Sequence, residues 1–196
     1  MRVKICGITN LSDALLAAEG GADGIGFVFY PNSPRYISPE KAREIVEKLP
    51  PFVTPVALFV KTPPEEVNRI VREVGAQLAQ LHWETGPDYW AQLEVPFLPV
   101  VRVRKGEDLE IYRDRYRLVD PFVPTYGGSG KRIPMEWFKG VETSKLIIAG
   151  GLTPENLPEI LKLDPYGVDV SSGVERAPGK KDPKKVVEFL KIAKGG

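Results

Sequence analysis

The sequence is poor in the residues that build disulfides and metal sites, because it holds one cysteine, Cys6, and one histidine, His82. A single cysteine excludes an internal disulfide, so the composition predicts a cytoplasmic location. A lone histidine without a cluster of cysteine, histidine or aspartate argues against a metal site.

Charge and hydrophobicity are not concentrated anywhere in the chain. Lys and Arg number 27 against 26 Asp and Glu, which gives a formal net charge of +1. This balance argues against a nucleic acid or a membrane surface as partner. No apolar run is long enough to span a bilayer. The 196 residues contain no linker or low-complexity tract, and they predict one domain over residues 1–196.

A unit of apolar strand, Gly/Pro/Ser/Asn-rich turn and helix-period segment recurs along the chain. Eight strands are predicted, at residues 3–5, 24–29, 56–60, 78–81, 97–103, 116–119, 146–149 and 168–170. Strict alternation with helices predicts a parallel sheet, and eight units favour closure into a compact α/β (β/α)8 TIM barrel. The chain is short for such a barrel, so the helices of units four to six must be abbreviated.

Helix starts carry recognisable capping signals. Helices are expected after Asn10, Ser38, Thr62, Thr153 and Asp182, four of which precede a proline. Shorter helices are expected at residues 89–93, 109–112 and 135–138 in the middle units.

Two loops have the composition of a phosphate site. Gly150 and Gly151 follow the seventh strand, and Ser171, Ser172 and Gly173 follow the eighth. In barrels of this class a phosphate is often held at these two positions by backbone N–H groups. Either loop alone is better read as an ordinary turn, whereas the two together, after these two strands, favour a phosphate site.

A third glycine-rich loop follows the sixth strand and includes Gly127 and Gly128. It is either a flexible connection or a lid that closes over substrate.

Two candidate proton-transfer groups end strands at the same mouth of the barrel. Cys6 is either a small buried hydrophobe or a base, and acting as a base requires its thiolate to be accessible near neutral pH. Asp120 is either a turn cap or an acid whose partly enclosed carboxyl keeps its proton.

Three further polar residues lie at strand ends or in the loops that follow. Arg35 is either a solvated loop residue or a clamp on a carboxylate or phosphate. His82 is a ligand, a base or a rim residue. Asp169 holds a sugar hydroxyl or balances local charge.

Six motifs in order resemble the phosphoribosylanthranilate isomerase family. They are Lys4-Ile5-Cys6-Gly7-Ile8-Thr9, Gly26-Phe27-Val28-Phe29 with Ser33-Pro34-Arg35-Tyr36, Gln80-Leu81-His82, Tyr126-Gly127-Gly128-Ser129-Gly130, Ala149-Gly150-Gly151-Leu152 and Val168-Asp169-Val170-Ser171-Ser172-Gly173-Val174-Glu175. The chain departs from the family pattern at Trp83, where glycine is usual, and at Met135-Glu136, where Phe-Asp is usual.

The resemblance implies a (β/α)8 barrel that converts N-(5-phosphoribosyl)anthranilate, without a cofactor, in tryptophan biosynthesis. It implies Cys6 as general base, Asp120 as general acid and Arg35 as the residue that holds the anthranilate carboxylate. The loops after strands seven and eight would hold the phosphate, and the chain would be a monomer or a homodimer.

Two alternatives stay open. One is another phosphate-binding barrel enzyme acting on a sugar phosphate, although one histidine does not fit a metal-dependent epimerase. The other is a barrel that binds a sugar phosphate without converting it.

Overall fold

The computed structural model describes residues 1–124 and 130–195, and its centre is a closed barrel of eight parallel strands. Each strand pairs with the next, and β8 returns to β1, as the sequence predicts. The strands are β1 Arg2–Ile5, β2 Gly24–Val28, β3 Thr54–Phe59, β4 Leu78–Leu81, β5 Phe97–Val103, β6 Arg117–Pro121, β7 Leu146–Ile148 and β8 Gly167–Val170.

Helices connect the strands on the outside of the barrel. They are α1 Leu11–Glu19, α2 Pro39–Val46, α3 Pro64–Val74, α4 Pro87–Trp90, α5 Leu157–Leu161 and α6 Pro183–Lys194. The expected shortening of the middle units is confirmed. Unit four has a helix of 4 residues, and units five and six have only 3₁₀ turns, Gly106–Glu110 and Met135–Phe138.

The amphipathic pattern of α3 explains how a helix covers the barrel. Val67, Ile70, Val71 and Val74 are buried and recur at helical spacing, whereas Glu66 is exposed. This apolar stripe packs on the outside of the strands and forms part of one continuous core between helices and barrel.

Several predictions of local structure were wrong in detail. Helix α4 spans Pro87–Trp90 and not residues 89–93. The 3₁₀ turn of unit five spans Gly106–Glu110 and not residues 109–112. Strand β6 extends to Pro121, so Asp120 lies within it and not at its end. Helix α5 begins at Leu157, because Asn156 accepts from the Thr153 backbone N–H and holds the intervening residues in a turn.

The sequence analysis also missed a small antiparallel hairpin after β8. Its strands are β9 Glu175–Ala177 and β10 Lys180–Lys181, and it follows a 3₁₀ turn at Ser172–Val174. The hairpin brings Glu175 and Lys181 beneath the mouth of the barrel.

Candidate active site

A pocket with a cavity volume of about 110 Å³ opens at the carboxyl ends of the barrel strands. Every predicted site residue in the described part of the chain lines it: Cys6, Arg35, His82, Asp120, Gly150, Gly151, Asp169, Ser171, Ser172 and Gly173. Gly127 and Gly128 lie outside the described residues, so the predicted lid remains a prediction.

Cys6 directly follows β1 and is held in place by its backbone. Its N–H donates to Val170 O at 2.8 Å, and the chain then turns at Gly7, which has a φ of +74°. A Cβ at position 7 would lie 2.6 Å from Arg35 Cδ and 2.8 Å from Ser171 Oγ, so only glycine fits the turn. The geometry fixes the thiol at the floor of the pocket.

The environment of Cys6 has two opposing effects on its acidity. The side chain is buried, and burial raises the pKa of the thiol above its ordinary value. The positive charge of Lys4 acts in the opposite direction but does not cancel this effect. The free thiol is therefore protonated at neutral pH.

Lys4 and Asp169 form a buried ion pair in the barrel interior. Lys4 Nζ donates to Asp169 Oδ1 at 2.9 Å, and the two residues are aligned in the register of β1 and β8. Burial opposes the charge of Lys4, but Asp169 and the nearby thiol hold the pKa of Lys4 above its ordinary value. Asp169 thus balances the charge of Lys4, and contact with a sugar hydroxyl stays a prediction.

A row of polar side chains, Gln80 and His82, connects β4 to Asp120. Gln80 Nε2 lies 3.3 Å from His82 Nδ1, within hydrogen-bonding distance. His82 Nε2 then faces Asp120 Oδ2 at 3.5 Å. Gln80 is fully buried and lines the pocket, and its Oε1 finds no partner among residues 1–124 and 130–195. This carbonyl is available to a donor on a ligand.

The hairpin after β8 supplies a second buried charge cluster. Arg35 Nε and Nη2 donate to the two carboxylate oxygens of Glu175, at 2.9 and 2.7 Å. Lys181 Nζ donates to Glu175 Oε1 at 3.0 Å and to Ser171 O at 3.2 Å. Burial opposes the charge of Glu175, but these two cations hold its pKa below the usual range. Burial lowers the pKa of Lys181, against the effect of Glu175.

The two predicted phosphate loops are packed directly against each other. A Cβ at Gly173 would lie 1.7 Å from Leu152 O, so the backbones of the loops after β7 and β8 are in contact. Asn156 braces the first loop, because its Nδ2 donates to Gly151 O at 2.9 Å. Both loops therefore present their backbones to one space.

Several residues of the site were missed by sequence reasoning. Lys4 and Gln80 lie in β1 and β4, and each precedes by two positions a predicted site residue that directly follows its strand. This spacing could have revealed them, because extended residues two apart share one face. Glu175 and Lys181 gave no comparable signal, since their partners Arg35 and Ser171 are brought near only by the fold.

In the described part of the chain, no group of three or more His, Cys, Asp or Glu side chains could hold a metal ion. Over the same residues no helix has the length and apolar character needed to cross a membrane.

Comparison with known proteins gives a family for this arrangement. Residues 3–192 match the model of N-(5'-phosphoribosyl)anthranilate (PRA) isomerase. The chain belongs to this family. Isomerases from Nitratiruptor sp. and Sulfurovum sp. are 53% and 54% identical to it over 194 residues, and each alignment covers 99% of both chains. The chain is an isomerase of tryptophan biosynthesis, as the motifs predict.

Solved structures of the isomerase have the same fold. The enzyme from Thermotoga maritima superimposes with a TM-score of 0.90 at 43% identity, covering 100% of both chains. A second structure holds reduced 1-(o-carboxyphenylamino)-1-deoxyribulose 5-phosphate, and it matches with a TM-score of 0.86 at 41% identity over 100% of both chains. A third structure, described as monomers generated from the dimeric isomerase of T. maritima, matches with a TM-score of 0.88 at 40% identity over 100% of both chains.

Proposed function

We propose that this isomerase uses Cys6 as general base and Asp120 as general acid. The observation that carries the proposal is that both side chains line one pocket, which is also lined by the loops after β7 and β8. Strands β7 and β8 separate β1 from β6 around the barrel. A sugar phosphate anchored at those loops thus lies within reach of both groups.

The first step is opening of the furanose ring. Asp120 gives its proton to the ring oxygen, the C1–O bond breaks, and the nitrogen lone pair forms a C1=N Schiff base. The neighbouring His82 is the residue best placed to orient Asp120, because its Nε2 faces Oδ2. A positioned acid of this kind contributes roughly 10²- to 10⁴-fold to the rate.

The second step moves the double bond. The Cys6 thiolate removes the proton from C2, and the electron pair of that C–H bond forms C1=C2 while the C1=N π electrons return to nitrogen. The resulting enolamine takes a proton at C1 and loses the one on the C2 hydroxyl. C2 is oxidised to a ketone as C1 is reduced to an amine, so no external oxidant or reductant is needed.

The remaining predicted residues are proposed to hold the two charged ends of the substrate. Arg35 would bind the anthranilate carboxylate, and the backbones at Gly150, Gly151 and Gly173 would bind the phosphate, with Ser171 and Ser172 beside them. The relative that holds the reduced deoxyribulose phosphate carries the same two anionic groups in its ligand.

Cys6→Ser and Asp120→Asn test this assignment in an assay of N-(5-phosphoribosyl)anthranilate turnover. Each substitution should lower kcat by about 10²-fold or more with an unchanged circular dichroism spectrum, because each removes one proton-transfer group. Ser12→Ala, at an exposed position of α1, is the matched control for the loss of a small polar group.

Wild-type turnover in both variants contradicts the assigned roles.

The assembly and location of the chain are also proposed. One relative is described as dimeric and was also obtained as monomers, so either state suits this chain, and sedimentation velocity decides between them. A cytoplasmic location remains the prediction made from the single cysteine.

A further inference from the structure

Lys4 takes no part in the proton transfers described above, yet its ammonium lies inside the barrel next to the proposed base. Lys4 lies in β1 and Cys6 directly follows that strand, two residues further on, and both side chains approach Gly26 on the neighbouring strand. Both are almost fully buried, with 8% and 5% of their surface exposed. A buried lysine is costly unless its charge is paired and hydrogen-bonded.

Gly26 on the neighbouring strand creates the space that the two groups share. A Cβ at this position would lie 2.8 Å from Cys6 Sγ, 2.9 Å from Lys4 Cε and 3.0 Å from Lys4 Nζ. The thiol and the ammonium therefore flank the same small volume, which stays open because residue 26 has no side chain. Gly24 plays a similar part lower down, where a Cβ would lie 3.5 Å from both Cβ and Cγ of Lys4.

Asp169 keeps Lys4 in this place. The 2.9 Å contact from Nζ to Oδ1 is buried at both ends, with 9% and 8% of the two side chains exposed. The carboxylate compensates the ammonium for its lost hydration and directs the last carbons of the lysine past Gly26. Nζ remains close enough to Cys6 to affect the charge of the sulfur.

We propose that Lys4 is a positioning residue of the reaction: anchored by Asp169 and passing over Gly26, its ammonium stabilises the thiolate of Cys6. The proposal rests on the role of Cys6 as base given above and supplies the physical reason why a buried thiol can fill that role. It also assigns a function to Gly26, which must lack a side chain for the contact to exist.

The charges around Cys6 agree with this role. Lys4 and Lys181 lower the pKa of the thiol, whereas burial and the negative charge of Asp169 raise it, and the effect of Lys4 exceeds that of Asp169. The other charged or titratable groups that line the pocket are Tyr30, Arg35, His82, Asp120 and Lys131.

The test uses the fact that Cys6 is the only thiol in the chain. The rate of alkylation by iodoacetamide is measured against pH for wild type, Lys4→Met and Lys4→Arg, with Lys41→Met as control for the loss of an exposed lysine. The midpoint of this profile reports the thiolate and, unlike the limiting rate, does not depend on how easily the reagent enters. The Lys4→Met midpoint should move to higher pH, and the alkylation rate at pH 7 should fall about tenfold.

Lys4→Arg should recover part of the shift, because it keeps the charge, and the control should follow wild type. An unchanged midpoint in folded Lys4→Met overturns the proposal, since a purely structural ion pair would not affect the thiol. If Lys4→Met does not fold, the double variant Lys4→Met/Asp169→Asn removes both buried charges. Its alkylation midpoint should still lie above that of wild type, because Lys4 lowers the pKa of the thiol more than Asp169 raises it.

Gly26→Ala is an independent test, because it leaves both residues of the Lys4–Asp169 ion pair unchanged. The added methyl group must separate the thiol from the ammonium, so the midpoint should again rise. An unshifted midpoint in this variant contradicts the assigned role of the glycine. The readout needs no turnover, so it remains valid if Cys6→Ser proves active and the proposed base is wrong.

Discussion

Arg35 meets Glu175 through two parallel hydrogen bonds, from Nε to Oε1 at 2.9 Å and from Nη2 to Oε2 at 2.7 Å. The guanidinium plane is thereby fixed from one side. Arg35 also lines the pocket, and no partner for its Nη1 is found among the described residues. One edge of the guanidinium is used for positioning, and the remaining nitrogen is available to a substrate carboxylate.

Glu175→Gln should raise KM about tenfold with little change in kcat, because the amide loses the charge that aligns Arg35 without touching the proton-transfer groups. Steady-state kinetics with N-(5-phosphoribosyl)anthranilate measure both constants. Glu47→Gln is the matched control, since its pair with Arg43 is exposed and should be worth roughly 0–1 kcal/mol. A KM equal to that of wild type would show that Arg35 does not depend on Glu175.

The same carboxylate should make stability depend on pH in the acid range. The pKa of Glu175 is lower in the folded than in the unfolded chain, so the unfolded chain binds the proton more readily. The stabilisation contributed by this carboxylate is therefore fully present at pH values above the unfolded pKa of about 4.5. It is lost as the pH falls through the folded pKa. Urea unfolding should therefore show a large stability gap between wild type and Glu175→Gln at pH 7 and a smaller gap at pH 3. A gap that does not change with pH contradicts the assignment.

Gly173→Ala should weaken phosphate binding. The new Cβ cannot occupy a position 1.7 Å from Leu152 O, so the loops after β7 and β8 must move apart. Displacement of this order at a binding loop costs about 10²-fold in kcat/KM. Inhibition by inorganic phosphate should weaken in parallel. Gly86→Ala, where a Cβ would meet nothing within 4 Å, is the matched control.

The rate should increase with pH through the alkaline range. Burial raises the pKa of Cys6, so the thiolate fraction of the free enzyme is still growing above neutrality. The profile of kcat/KM reports groups of the free enzyme, and its rising limb should coincide with the alkylation midpoint of the same thiol. In Lys4→Met the alkylation midpoint should move, and the rising limb of the kcat/KM profile should move with it. If the limb stays in place, it reports another group.

The barrel and most of the site residues were predictable because local rules govern them. Apolar β-branched runs followed by Gly/Pro turns gave the eight strands, and the parallel topology places all their carboxyl ends at one mouth. Cys6 and His82 could therefore be assigned to a common site before their distances were known.

What escaped prediction depends on long-range contacts or on register. Glu175 and Lys181 form a hairpin too short for a periodic signal, and Glu175 meets Arg35 across 140 positions of sequence. The spacing of Lys4 and Cys6 predicts that their side chains share one face, but the ion pair of Lys4 with Asp169 depends on the alignment of β1 with β8. Sequence spacing within one strand cannot supply the register between two.

The protonated state of Cys6 in the free protein has a consequence for the lifetime of the enzyme. Peroxide and other oxidants attack the thiolate far faster than the thiol, so a cysteine that holds its proton resists conversion to sulfenic and sulfinic acids. The burial that raises the pKa of Cys6 should therefore also slow its oxidation.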